Sequence, residues 1–376
     1  MKLKTPNNPF PTSGYYGPQY FCDREEESKH ITKLLQNGNS CLLIGNRRLG
    51  KTALIFHIRH LIPKTTAFVY LDILATENEQ QFLDVLGSAL LQAFPEKSTL
   101  GKKVWEFVKT LRPLISFDPL SGIPNVSFQL EKVENPVTDI FLFLENLNQP
   151  IIVAIDEFQQ IRFYPEQNTD AWLRATMQQL QNVQFLFSGS RQSLLSELFS
   201  DPKRPFFKSV SPFKLEKINQ NDYRDFIIKI FASHGKQLSE ELAEELLEWT
   251  KCHTYYVQHL CNRIFQVPEK KLSRADWQGC AQNILKEQEV FFFHYRSLLS
   301  PQQWKLLVAI AKAGIVYSPT SKDFIAKNNL GSSATVFKSI DSLLDKEMIY
   351  KEYNQEGNPF YQVYDVFFER WIQGGS

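Results

Sequence analysis

Gly45-Asn46-Arg47-Arg48-Leu49-Gly50-Lys51-Thr52 fits the pattern G-x-x-x-x-G-K-[ST] in full. The stretch before it, SCLLIG at 40–45, is a short apolar run ending in glycine, as a buried strand would be. After it, Leu54, Ile55, Ile58 and Leu61 recur at helical spacing until Pro63 stops the pattern. A glycine-rich turn that merely precedes a helix would not require an apolar strand on its other side. In this context the loop has a physical task. Gly45 and Gly50 let the backbone wrap closely around phosphates, and the N–H groups from Asn46 to Ala53, at a helix N-terminus, present partial positive charge to them. Lys51 reaches the β- and γ-phosphates, and the Thr52 hydroxyl is placed to ligate Mg2+.

Outward from this loop, strand and helix patterns alternate. The segment 23–36 reads as a helix, with Asp23 as its cap, Glu25, Glu26 and Glu27 at its positive end, and Ile31, Leu34 and Leu35 on one face. A second buried strand is predicted at 67–73 and a second helix at 80–93. Alternation of this kind calls for a parallel sheet with crossovers, an α/β fold. Between 95 and 135 the rhythm lapses. There, 115–118 and 125–130 flank Pro119, Gly122 and Pro124 like an inserted hairpin. It resumes with helix 137–147, strand 151–155, helix 169–181 and strand 184–189. After Pro212 the β-runs are expected to cease. Short amphipathic helices follow at 221–231, 240–249 and 255–265.

Strand 151–155 is wholly apolar and ends in Asp156-Glu157, the form of a Walker B motif. An aspartate there can hold Mg2+, and the adjacent glutamate can polarise an attacking water. Such an ending is common on solvated strands, but downstream of a complete phosphate loop it reads as a pair of active-site carboxylates. Strand 184–189 ends in Ser188-Gly189-Ser190 before Arg191, either an ordinary turn or a polar group facing the same site.

Phe21-Cys22-Asp23-Arg24-Glu25, GNRRLGKT, IIVAIDEFQQI, FSGSRQSLL and KRPFFKSV (203–210) together make the chain resemble the archaeal-type AAA+ ATPases, and bacterial ATP-binding chains related to the STAND signalling NTPases. The resemblance covers about 8 to 266. It implies a P-loop NTPase core of the additional-strand type, a helical lid and a C-terminal winged helix. The boundaries it suggests are 1–215 for the core, 216–288 for the lid and 289–376 for the winged helix. It also implies ATP or ADP as the ligand with Mg2+. Phe21 and Arg24 would lie near the base and ribose, Ser188 or Ser190 would sense the γ-phosphate, and Arg204 would be a cationic finger. Lys51 and Glu157 would be the catalytic pair beside them. In the lid, TKCHTYYV (250–257) replaces the Gly-x-Pro the family often carries, with Cys252 and Thr254 at those positions and Tyr255 as a base-contact candidate. ATP favoured over GTP rests on the resemblance, since no Asn-Lys-x-Asp run is present.

The C-terminal part reads as helices at 301–313, 320–327 and 333–346 followed by a hairpin of 348–353 and 361–364, three helices and a wing. Its charges oppose nucleic acid. From Ser300 on, eight Lys and Arg face eight Asp and Glu, and the recognition-helix segment carries Asp341 and Asp345 beside Lys338 and Lys346 with no arginine. The whole chain of 376 residues is as even, with 42 basic and 41 acidic residues. Five scattered cysteines without CxxC spacing fit neither a zinc site nor a disulfide framework, and point to a reducing compartment. The N-terminal sequence lacks an apolar leader, and no apolar run approaches a membrane span, so a cytoplasmic protein with no membrane contact is expected. The expected function is Mg2+-dependent ATP binding with slow hydrolysis. ATP would close the lid and move the winged helix toward an unidentified protein partner or a second copy. A nucleotide-gated DNA regulator and a non-hydrolysing ATP-bound scaffold are the alternatives.

Overall fold

The structure, a computed structural model, describes residues 5–128, 136–166 and 168–374. The chain divides into two compact units, one of Ser13–Ile218 and one that joins Pro6–Thr12 to the chain from Asn219 onward.

In the first unit, strands β1 (Cys41–Ile44), β2 (Ala67–Asp72), β3 (Pro113–Phe117), β4 (Pro124–Phe128), β5 (Ile151–Asp156), β6 (Val183–Gly189) and β7 (Ser211–Lys214) follow in chain order. Five of them form one sheet in the order β2-β5-β6-β1-β7, every pair parallel. β6 thus separates the strand that leads into the glycine loop from the strand that ends in Asp156, the additional-strand arrangement. Both faces are covered, which is why the strands read as continuous apolar runs. Alternate residues divide between them: Leu43, Phe68, Ile152, Ala154 and Leu186 pack with Ile31, Leu54, Ile55 and Ile58, while Leu42, Val69, Val153, Phe185 and Phe187 pack with Phe82, Leu86, Ile140 and Phe141.

Several elements depart from expectation for identifiable reasons. β7 exists where the β-runs were expected to cease. It is four residues long and contains Pro212, tolerable because β7 is an edge strand paired only with β1. The helix expected from 23 begins at Glu25, and its cap position is Arg24 in a left-handed conformation (φ 71°) with no side-chain cap; Asp23 does not cap it. Helix Thr99–Thr110 occupies part of the stretch where the alternation lapses, and helix Gln192–Ser200 one for which no element was expected. The hairpin β3–β4 is present, with residues 129 and 130 of its second expected strand outside the described residues.

The second unit begins with helices Gln220–Ser233, Glu240–Trp249 and Thr254–Phe265. Pro6–Thr12 belongs here rather than with the core, because fully buried Phe10 packs on Phe231 and Phe265, the Asn8 side chain donates to the Asn262 carbonyl, and the Asn262 side chain donates to the Phe10 carbonyl. One continuous helix, Arg274–Ser297, then spans the position 288/289 where sequence placed a boundary. Helices Pro301–Ala313, Lys322–Asn328 and Ser333–Asp345, strands β8 (Ile349–Tyr353) and β9 (Pro359–Val363), and helix Val366–Gln373 complete the unit. The last helix bears fully buried Glu369, paired with Lys251 at 2.5 Å, and Arg370, which donates to the Trp249 carbonyl at 2.8 Å.

In helix Thr99–Thr110, a Cβ on Gly101 would fall 1.8 Å from the Pro95 carbonyl oxygen. Ala normally stabilises a helix interior by about 1 kcal/mol over Gly. Here the backbone clash wins, and Gly101→Ala is expected to lower stability by about 1–3 kcal/mol in urea unfolding. A variant at least as stable as the wild type would refute the packing of this helix on Pro95.

Candidate active site

The loop of 45–52 leaves β1 against the backbone of Leu215, where a Cβ on Gly45 would stand 3.1 Å from the Leu215 carbonyl oxygen. Gly50 takes φ 95° and opens helix Lys51–Leu61, and Arg48 takes φ 64°. Lys51 is 6% exposed, and its ammonium donates to the carbonyls of Gly45 (2.9 Å) and Asn46 (3.0 Å). Burial pulls its pKa down; the carboxylates of Glu157 and Asp156 push it back up, and Arg47 opposes them. A buried cation held only by carbonyl dipoles, with two carboxylates nearby, is poised to take an anionic oxygen in their place. Leu49 is buried, and Ala53 offers the site its backbone N–H alone.

Asp156 ends β5 at 2% exposure. The Thr52 hydroxyl donates to its Oδ2 at 2.6 Å and the Tyr70 hydroxyl at 3.3 Å. Glu157 then turns sharply in the left-handed region (φ 55°), with its N–H on Asp156 Oδ1 at 3.1 Å. For a residue with a Cβ this costs about 1–2 kcal/mol. Its carboxylate meets the end of the neighbouring strand β6: Ser190 Oγ donates to Glu157 Oε2 at 2.9 Å, and the Gln159 amide donates to the same oxygen. Arg47 Nε donates to Ser190 Oγ at 3.4 Å, and Gln192 donates to Asn46 Oδ1 at 2.9 Å. Loop, β5 and β6 are therefore joined in one polar network.

Of the two serines left open, Ser190 lies on Glu157. Ser188 is fully buried, and its hydroxyl has no hydrogen-bond partner among the described residues. Gln159, Gln192 and Tyr70 were not found from sequence. Gln159 has a partial signal in Gly189, where a Cβ would sit 2.1 Å from Gln159 Oε1.

Phe21, Arg24, Arg204 and Tyr255, assigned through resemblance, each have neighbours within the protein. Phe21 stacks on His57 of the loop helix at 4.5 Å, with Tyr15 at its edge. Arg24 is 3% exposed, and its guanidinium donates to Glu27 (2.7 Å) and to the Glu216 carbonyl (2.6 Å). Arg204 pairs with Glu197 at 2.5 Å and approaches Asp170 at 3.7 Å. Tyr255 belongs to the second unit, in the first turn of its helix, 5.2 Å from the Tyr256 ring and 5.6 Å from that of His259.

Thr52 and Asp156 supply one hydroxyl and one carboxylate 2.6 Å apart beside the loop. Mg2+ typically takes one or two protein oxygens and completes its shell with phosphates and water, and this donor set fits it. Among the described residues no cluster of three His, Cys, Asp or Glu could cage a metal by itself.

Residues 21–260, more than half of the chain, match the family model described as "ATPase domain predominantly from Archaea". The chain belongs to this family. Its members are ATPases, and the enzyme activity that goes with membership is ATP hydrolysis. Residues 290–374 match a second model, described as "Probable winged helix domain". Among curated proteins none matches. The fold is similar to that of a Walker-type ATPase of Pyrococcus abyssi (TM-score 0.66, 17% identity, 97% of this chain and 99% of that one). It is also similar to the ORC2 protein of Aeropyrum pernix in its ADPNP–ADP complexes (TM-score 0.52, 11% identity, 98% of each chain). The ORC1 protein of the same organism in complex with DNA aligns with TM-score 0.51 and 13% identity over 98% of this chain and 97% of that one. These likenesses are of fold. No helix among the described residues is long and apolar enough to cross a membrane.

Lys51→Ala removes the one ammonium folded onto the loop, and should abolish measurable ATP binding in calorimetry while the circular dichroism spectrum stays native. Unchanged affinity would remove the loop from nucleotide binding.

Proposed function

We propose that this ATPase binds ATP with Mg2+ on residues 45–53, hydrolyses it slowly, and uses the cycle as a conformational switch. The observation that carries the reading is the network Thr52–Asp156 and Ser190–Glu157, which sets two carboxylates with different partners beside one loop lysine. Lys51 exchanges the Gly45 and Asn46 carbonyls for β- and γ-phosphate oxygens. Thr52 and Asp156 hold Mg2+, which supplies charge neutralisation across the phosphates. Glu157 orients the attacking water and accepts its proton. Its Oε2 already takes two donors, Ser190 and Gln159, so Oε1 is the oxygen left for that task. The protonated carboxyl then stays fixed by the same two donors.

Slow turnover is supported by the arginines. Arg204 is bound to Glu197 and Asp170, so a finger role would require it to leave two acidic groups. Arg47, which reaches Ser190 and adds its charge to that felt by Lys51, is the better-placed cation of this chain. Self-association or a protein partner is supported by apolar side chains left in solvent, among them Leu114, Phe117 and Leu120 on the β3–β4 hairpin, the last 99% exposed.

Glu157→Gln keeps the hydrogen-bonding shape and removes the base. ATP binding should persist, while phosphate release falls at least about tenfold, the low end of a general-base contribution. Equal turnover in both proteins would take Glu157 out of the mechanism.

Nucleic acid is the weaker reading of the C-terminal elements. On helix Ser333–Asp345 the solvent side carries Lys338 against Asp341 and Asp345, and Phe337 is 60% exposed. Few counterions would be released by such a face. Random duplex DNA should bind the full chain no tighter than about 0.1 mM at physiological salt by fluorescence anisotropy. Micromolar binding with a steep salt slope would promote the DNA-regulator function instead.

A further inference from the structure

Helix Lys51–Leu61 begins at the phosphate loop; at its other end lies a cavity of about 880 Å3 within the first unit. This is within the size range of small-molecule sites, about 300–1,000 Å3. The cavity sits where that helix ends, β2 begins, and helices Glu79–Ala93 and Thr99–Thr110 meet at Pro95. Its apolar wall is made by buried Ile62, Phe68 and Phe94 and half-buried Phe56.

Its full charges are both positive. Arg59 and Lys64 line it together with the His60 imidazole, and no Asp or Glu does. Among the described residues, none of the three side chains makes a hydrogen bond or ion pair. The Arg59 guanidinium lies over the Phe68 ring at 5.9 Å, and burial lowers its pKa with no acidic group to offset the effect. Arg59 and His60 stand in the last turn of a helix, where basic side chains favour its negative end. That does not account for Lys64, which lies beyond the helix, nor for an aromatic-walled space opening beside all three.

We propose that this cavity binds a small anionic amphiphile, with the apolar body against Phe56, Phe68 and Phe94 and the anionic head group on Arg59, His60 and Lys64. Apolar area supplies affinity, and the head group supplies selection, since a charge-assisted hydrogen bond is stronger than a neutral one. The inference stands apart from the nucleotide site and requires no nucleotide.

The test uses the full chain without nucleotide and two ten-carbon probes, decanoate and 1-decanol, in isothermal titration. Decanoate should saturate one site, with decanol at least about tenfold weaker, equivalent to about 1.4 kcal/mol. The double variant Arg59→Glu, Lys64→Glu changes solvent-reaching positions and should lose at least about tenfold in decanoate affinity with an unchanged thermal midpoint. Ala93→Trp, which fills the cavity from the end of helix Glu79–Ala93, should block both probes. Equal affinity for the acid and the alcohol, or no saturable decanoate binding to the wild type, would overturn the proposal, and neither outcome depends on a variant folding.

Discussion

A lysine ammonium cannot sit in a protein interior without oxygen partners, and this constraint organises the site. Lys51 is almost fully buried at the carboxyl end of a parallel sheet, and the oxygens it finds are the carbonyls of its own loop. To reach them the loop must curl back over the lysine. This in turn requires a left-handed Gly50, a left-handed Arg48 and a Gly45 with no Cβ against Leu215. The same curl brings Thr52 onto Asp156, tying the loop to a strand that is not its neighbour in the sheet. Two loop carbonyls are adequate partners for an ammonium and inferior ones to phosphate oxygens. The resting geometry is therefore one a nucleotide can displace.

The position of β6 gives that geometry its chemistry. Because β6 lies between β1 and β5, its end faces both the loop and the carboxylates. Ser190 uses this placement, accepting from Arg47 and donating to Glu157. Gly189 keeps Gln159 close enough to hold the same carboxylate, since any side chain there would occupy the position of Gln159 Oε1. Asp156 and Glu157, adjacent in sequence, thus face different partners: a hydroxyl pair for one, a serine and an amide for the other.

Much of this was legible before any coordinates. The strand–loop–helix of 40–61, the apolar run into Asp156-Glu157, the parallel alternation and the three helices with a wing each have a local signature, a period or a motif, that short-range physics fixes. What escaped lacks one. β7 is a four-residue edge strand with a proline, its existence decided by pairing with β1 some 170 positions earlier. Gln159, Gln192 and Tyr70 carry no motif and matter through where the sheet order brings them. The ion-pair partners of Arg24 and Arg204, which are Glu27, Glu197 and Asp170, likewise belong to no motif.

The second unit shows a related limit of reading by module. Sequence gives a helical segment and a winged helix as separate patterns; the ATPase family model ends at 260 and the winged-helix model begins at 290. Physically they are stitched together. Helix Arg274–Ser297 runs through the boundary, and the last helix of the chain inserts Glu369 against Lys251 and Phe367 against Trp249 and Tyr256. A buried carboxylate stripped of its ammonium is strongly destabilising, so the two patterns are held in register by a contact neither contains alone. The Lys251 that holds Glu369 is also in a left-handed turn two residues before His253, at the start of the helix that carries Tyr255. The turn is thus joined to the C-terminal helix by the Lys251–Glu369 pair and by the Arg370 bond to the Trp249 carbonyl, links that charge balance on the winged helix alone would never reveal.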